Sequence, residues 1–420
     1  MKKALKRVAW AALAAATLIA AAALYIQLAP LPRYTPRPVR FDVDATPERA
    51  LRGKRTVEML CAGCHLDPAT GALTGRAMTD APGRFGMIWS QNITQDRDYG
   101  IGTWTDAEIA YLIRTGVARD GRYTPPWMLK LPHMSDEDLR DVIAFLRSDD
   151  PLVRAAHVPD RRPEPSFFTK LLTRVAFKPL PWPSAPVVAP PPGDRVAYGR
   201  YLMVGRLDCY SCHSRDFARI DLLVPERSAG YLGGGNPMRD RQGHRVYTAN
   251  LTPDPTGLGS WTEEQFRRTL KMGLLPSGRP LRSPMTARPQ LTDDEIGALW
   301  AYLRTVPPIS NALPEPFPEV LDATDQGRAA FHKYGCHTCH GDDGGGRHDI
   351  RGAAARYATD TALIDYIKHP ERTKPGVAMP TWDGTIEEAE YAPLARFVRQ
   401  LTLPRTAREP RGHDGVTPPG

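Results

Sequence analysis

The chain opens by separating charge from apolarity. Lys2, Lys3, Lys6 and Arg7 come first, and Val8 to Leu28 then runs without a charged residue. That run of 21 residues is long enough to cross a bilayer. A secretory signal needs only roughly 7–15 apolar residues and a small-x-small cleavage site, which Ala21-Ala22-Ala23 offers. Residues 1–30 are therefore a signal peptide or an uncleaved anchor, and length favours the anchor. The basic flank puts everything after it outside the cytoplasm.

Downstream the apolar positions take a helical period. Leu139–Arg147 and Ile296–Arg304 carry apolar residues at helical spacing. Ser135-Asp-Glu-Asp138 and Thr292-Asp-Asp-Glu295 precede them, each an N-cap hydroxyl with an acid three residues on. These helices end in Phe145-Leu-Arg147 and Tyr302-Leu-Arg304, and a third ends in Phe397-Val-Arg399. Upstream stand Gly53-Lys54, Gly199-Arg200 and Gly327-Arg328. A glycine there predicts a close helix crossing onto the aromatic of the last helix. The pattern reads as an all-α chain of three tandem domains, 46–156, 196–306 and 323–402, after the N-terminal apolar helix. Proline-rich linkers at 157–195 and 307–322 separate them. Within the first, Phe167–Phe177 is amphipathic enough for a short docking helix. The tail, 403–420, reads as disordered.

Two of the domains are close copies. Asn92-Ile-Thr-Gln-Asp96 and Gly100-Ile-Gly102-Thr-Trp104 return as Asn250-Leu-Thr-Pro-Asp254 and Gly257-Leu-Gly259-Ser-Trp261. From each tryptophan it is 24 residues to a methionine, Met128 and Met285. Met379-Pro380 occupies the corresponding place in the third domain. The intervals from methionine to the closing aromatic are 17, 17 and 18 residues. Asn92 and Asn250 match a glycosylation sequon, but their recurrence reads as repeat structure.

The formal charge of +8 changes little, because residues 1–40 hold seven Lys or Arg and no acid. The remainder has no basic footprint for nucleic acid.

All six cysteines fall in three Cys-x-x-Cys-His motifs: Cys61-Ala-Gly-Cys64-His65, Cys209-Tyr-Ser-Cys212-His213 and Cys336-His-Thr-Cys339-His340. This spacing is the attachment signal for c-type haem. Two thiols on one helical turn form thioethers to the porphyrin, and the adjacent histidine supplies the proximal nitrogen. Structural zinc would bring two cysteine pairs together on four ligands, and disulfides would not explain a histidine at one fixed position. The motifs predict three covalent c-type haems and their iron.

The sixth ligand sets the chemistry. A thioether stabilises ferrous iron and suits electron transfer, whereas an open position suits oxygen or peroxide chemistry. The aligned Met128, Met285 and Met379 are the candidate ligands, with Met87, Met134 and Met238 as competitors. The histidines outside the motifs (His133, His244, His332, His337, His348 and His369) recur at no common offset.

On these motifs the chain resembles class I c-type cytochrome domains. The triple arrangement resembles the three-haem cytochrome c subunits of membrane-bound periplasmic alcohol and gluconate-type dehydrogenases. The linker around Phe167–Pro183 departs from that family, and Gly-Asp-Asp-Gly-Gly-Gly after His340 is closer to a monohaem cytochrome. The resemblance implies periplasmic electron transfer between a dehydrogenase, or another redox protein, and the respiratory chain through quinone or a terminal oxidase. The alternative is a haem enzyme, a peroxidase or small-molecule oxidoreductase, with an open site in the first domain.

Overall fold

The computed structural model describes residues 2–78, 83–124, 127–240, 245–277, 280–313, 323–346, 348–377 and 379–401. The predicted disordered tail, His244, Pro125, Pro126 and residues 314–322 of the second linker lie outside them. Contacts divide the chain into two compact units. The first is Met1–Arg267 with Gln290–Pro316, and the second is Arg268–Pro289 with Phe317–Gly420.

The first unit begins with α1 (Lys2–Leu28), exposed along its length and apolar enough to cross a membrane. Then come α2 (Pro47–Leu60), α3 (Ala62–His65), α4 (Asp106–Thr115) and α5 (Asp136–Leu146). Next are α6 (Phe167–Val175), α7 (Arg195–Tyr201), a π-helical turn at Leu202–Arg206, and α8 (Cys209–His213). Helix α9 (Glu263–Met272) runs across the division, and α10 (Asp293–Leu303) returns to the first unit. Short antiparallel pairs join β1 (Gly86–Met87) to β2 (Glu164–Pro165) and β3 (Pro237–Arg239) to β4 (Arg245–Tyr247). The second unit holds α11 (Ala323–Lys333), α12 (His337–His340), α13 (Ala353–Arg356), α14 (Asp360–Lys368), α15 (Pro370–Thr373) and α16 (Glu388–Gln400). The described chain is helix-rich, as its periodicity predicts.

One crossing recurs three times. A Cβ on Gly53 of α2 would lie 1.8 Å from the Asp141 carbonyl oxygen and 3.0 Å from Phe145 Cβ of α5. On Gly199 of α7 it would lie 1.9 Å from the Ala298 oxygen and 2.9 Å from Tyr302 Cβ of α10. On Gly327 of α11 it would lie 2.1 Å from the Pro393 oxygen and 2.6 Å from Phe397 Cβ of α16. Only a hydrogen fits between these backbones, so the predicted glycine–aromatic crossing is present in each repeat. Around the crossings close the cores: Val57, Leu73, Leu139 and Ile143 in the first, Leu202, Ile296 and Leu299 in the second, Phe331, Leu363 and Leu394 in the third.

Caps set the helix starts. Ser135 and Thr292 accept from the amides of Asp138 and Glu295, as their sequences predict. Arg147 and Arg304, two residues beyond the crossing aromatics, donate to the carbonyls of Ile101 and Leu258, which are repeat equivalents.

The Asn-x-Thr segments are internal locks. Asn92 Oδ1 accepts from the Thr94 amide at 2.9 Å and its hydroxyl at 2.7 Å, and Asn250 Oδ1 repeats both contacts with Thr252 at the same distances. Asn92 Nδ2 donates to Ala156 and Val158, and Asn250 Nδ2 to Ile309. The asparagines are 2% and 3% exposed. That burial leaves no room for a glycan and accords with repeat structure.

The first proline-rich linker lies along the first domain rather than projecting as a spacer. Trp182 stacks on Tyr111 with 5.9 Å between centroids, and the Arg114 guanidinium sits 5.6 Å from its ring. The predicted docking helix is α6. Its Lys170 and Arg174 donate to the carbonyls of Gln27 and Pro30 at the end of α1, where cations meet the negative pole of a helix.

Replacing Gly53, Gly199 or Gly327 by alanine gains about 0.5–1 kcal/mol of helix propensity but costs about 1–3 kcal/mol through overpacking against backbone that cannot yield. Each variant is expected to melt below wild type in calorimetry, and an unchanged or raised Tm would contradict the crossing. Asn92→Ala and Asn250→Ala should each cost about 1–3 kcal/mol by stranding buried polar groups, read by denaturant unfolding. Wild-type stability in both would remove their role as locks.

Candidate haem sites

Each Cys-x-x-Cys-His motif is a single helical turn. Cys61 joins α2 to α3, Cys336 caps α12, and Cys209 opens α8 directly after Asp208, whose φ is 52°. In the second motif a π-helical turn and a break at Leu207 and Asp208 lie within the stretch from Gly199 to Cys209, which is two residues longer than that from Gly53 to Cys61. Helix geometry thus sets two sulfurs and an imidazole on one short segment.

The three histidines are oriented alike. His65 Nδ1 lies 2.7 Å from the Gln91 carbonyl, His213 Nδ1 is 2.8 Å from that of Ala249, and His340 Nδ1 is 2.6 Å from that of His348. A carbonyl can only accept, so each Nδ1 carries a proton, and in the neutral ring Nε2 is the nitrogen that keeps its lone pair. This is the second-contact arrangement that fixes a metal-ligating imidazole and raises its basicity. Burial also pushes His65 and His213 below the ordinary imidazole pKa, holding the rings neutral. It pushes the Cys61 and Cys336 thiols up to about 12, the uncharged state also found in a thioether. A glycine amide meets each histidine carbonyl, from Gly75, Gly234 and Gly346 at 2.8, 2.7 and 2.7 Å. The residues present fit a covalently attached haem with axial imidazole.

Sequence reasoning did not identify the carbonyl acceptors. In the first two repeats a signal was there: Gln91 and Ala249 immediately precede Asn92-Ile-Thr94 and Asn250-Leu-Thr252. The buried asparagine lock therefore holds the very peptide that aims the histidine. In the third repeat the acceptor belongs to His348, so that histidine serves through its backbone.

Met128 and Met285 sit on matching straps. In the first repeat the Thr124 amide donates to Gly116 O at 2.7 Å and Leu131 to Ile113 O at 2.9 Å. In the second, Leu281 donates to Gly273 O at 2.7 Å and Arg288 to Leu270 O at 2.6 Å. Bridges Val117–Tyr123 and Leu274–Pro280 repeat the correspondence. Both methionines are half-buried, as is Met379, which packs on the core of the second unit. Two of the competitors differ from them in burial, and the third, Met238, is half-buried as they are. Met134 is sealed in the core at 1% exposure, Met87 is exposed on β1, and Met238 lies in β3.

The other histidines have local duties. His133 Nε2 meets the Leu222 carbonyl at 2.9 Å, the rings of His332 and His337 stand 4.5 Å apart, and His369 faces Asp383 at 3.8 Å.

The family model described as cytochrome C oxidase, cbb3-type, subunit III matches residues 48–146 and 322–398, which span the first and third motifs. The chain is similar to the cytochrome c subunit of alcohol dehydrogenase (quinone) from Komagataeibacter europaeus. The two are 27% identical over 373 residues, covering 81% of this chain and 77% of that protein. It is 28% identical to the fructose dehydrogenase cytochrome subunit of Gluconobacter japonicus, over 69% of this chain and 63% of that one. It is 30% identical over 263 residues to a diheme cytochrome c-type protein of Cereibacter sphaeroides, over 59% of this chain and 82% of the relative. With these relatives and three carbonyl-oriented Cys-x-x-Cys-His turns, the chain belongs to the c-type cytochromes and carries covalently attached haem.

Proposed function

We propose that this protein is a three-haem electron relay on the periplasmic face of the cytoplasmic membrane, taking electrons from a dehydrogenase and delivering them to quinone or an oxidase. The observation that carries the reading is the threefold recurrence of an imidazole whose Nδ1 is held by a backbone carbonyl. When bound, c-type haem supplies a one-electron iron couple tuned by its axial ligands and burial. Cys61 and Cys64, Cys209 and Cys212, and Cys336 and Cys339 attach the three groups. His65, His213 and His340 present Nε2, and Met128, Met285 and Met379 supply the thioether. The matching straps around Met128 and Met285 favour full ligation in the first domain over an open enzymatic site there. The dehydrogenase partner is inferred from the relatives, several of which are dehydrogenase cytochrome subunits. The charge-free run of 21 residues from Val8 to Leu28, longer than a cleaved signal needs, supports an uncleaved anchor.

The intact mass of the native protein should carry three haem increments, and replacing both cysteines of any one motif by alanine should remove one of them. A wild-type mass with two increments would contradict the count. Met128→Leu should remove one haem's share of the far-red absorption band of ferric His–Met haem and open one haem to carbon monoxide. An unchanged band would take the ligand role from Met128. Purified from native membranes, the protein should begin at its original N-terminus and bring a dehydrogenase in stoichiometric amount. A mature N-terminus beyond residue 23 would overturn the anchor.

A further inference from the structure

Within the first unit, the two repeats grip each other through equivalent residues. Arg55 stands two residues after Gly53 on α2, and Tyr201 stands two after Gly199 on α7. Asp138 and Glu295 are both the acid three residues after the N-cap of a last helix, α5 and α10. Arg55 Nη2 bonds Glu295 at 2.6 Å, and the Tyr201 hydroxyl bonds Asp138. Each motif-bearing side thus holds the capping acid of the other domain.

The reciprocity extends to the backbone. Arg55 Nε and Nη2 both donate to the Gln290 carbonyl, at 3.0 and 2.8 Å. The carbonyl of His133, two residues before Ser135 as Gln290 is before Thr292, would lie 2.6 Å from a Cβ on Gly205. Arg206 adds a second guanidinium to Glu295 at 2.6 Å, and both side chains of that pair are 8% exposed.

The two halves differ by one methylene, with a visible consequence. Glu295 reaches back to the Thr292 amide at 2.8 Å and completes its own capping box. The shorter Asp138 does not, and the Ser135 amide donates instead to the Tyr201 hydroxyl at 3.1 Å. The second domain therefore finishes the helix cap of the first. The third repeat carries neither half. Ala329 stands at the position of Arg55 and Tyr201, and Glu390, at the position of the capping acid, is bonded within its own repeat by Lys333 and Tyr334.

We infer that Arg55 and Tyr201 are positioning residues that lock the first two haem domains into one pseudo-twofold two-haem body, so that electrons pass between these haems at a fixed separation. The inference rests on the relay reading above and adds to it which pair of haems is rigidly coupled.

The test separates positioning from helix capping. In Tyr201→Phe/Asp138→Glu, the longer acid satisfies the Ser135 amide within its own helix, as Glu295 does for Thr292, while the grip across the domains is lost. Arg55→Lys keeps the charge but loses the paired Nε and Nη2 bonds to the Gln290 carbonyl. Pulsed dipolar EPR on the ferric full-length holoprotein reads the haem–haem separations. The component from the first two haems is the one that survives in a Cys336→Ala/Cys339→Ala background. Wild type should show it as a single narrow distribution. The combined Tyr201→Phe/Asp138→Glu/Arg55→Lys variant should lose that narrowness, while its ferric far-red band and haem count stay at wild-type values. A folded variant with the narrow distribution intact would overturn the inference. If the combined variant does not fold, Tyr201→Phe/Asp138→Glu alone is read the same way, with hydrogen exchange at the α5 N-terminus confirming that its cap is restored. Failure of the relay reading shows separately, as a wild-type mass lacking a haem on one of the first two motifs.

Discussion

A backbone carbonyl aimed at an imidazole Nδ1 is the contact on which this architecture turns. It fixes the tautomer, frees Nε2 and holds the ring against rotation. The acceptor comes from equivalent loops in the first two repeats and from a different loop in the third, and in the first two it is itself held. In the first two repeats the hold is a buried asparagine whose oxygen ties down the next turn and whose amide nitrogen reaches the segment after the last helix. In the third the acceptor, His348, lies in the glycine-rich stretch that follows the motif. The same orientation reached by different loops indicates that the carbonyl, rather than any one loop sequence, is the requirement.

The glycine crossings set the frame around that contact. Bringing α2 onto α5, α7 onto α10 and α11 onto α16 at backbone contact fixes the helix that ends in the cysteines. Loops carrying the carbonyl acceptors then orient the motif histidines. Seen this way, Gly53, Gly199 and Gly327 are as much part of the haem-binding design as the ligands, though they stand 12 to 14 residues before the histidines they serve.

Much of this was legible in the chain. The motif cysteines, the capped last helices and the glycine–aromatic pairs all follow from spacing. So does α6, whose amphipathic pattern stands out inside a proline-rich segment. What spacing could not give were contacts made by groups every residue possesses. Nothing in the side chains of Gln91 or Ala249 marks their carbonyls as acceptors; only their place before Asn-x-Thr does. The clasp between the first two domains was hidden because Arg55 and Tyr201 are chemically unlike and become equivalent only when counted from the crossing glycine. The proline-rich linker misled in one respect: composition suggests a spacer, yet Trp182 anchors it on the first domain.

Stepwise coulometric titration of the purified holoprotein, followed optically, tests the relay most directly. The account predicts three electrons per chain, each reducing a low-spin haem whose ferric form contributes to the far-red thioether band. Fewer than three electrons, or a haem that takes up its electron without ever contributing to that band, would contradict it.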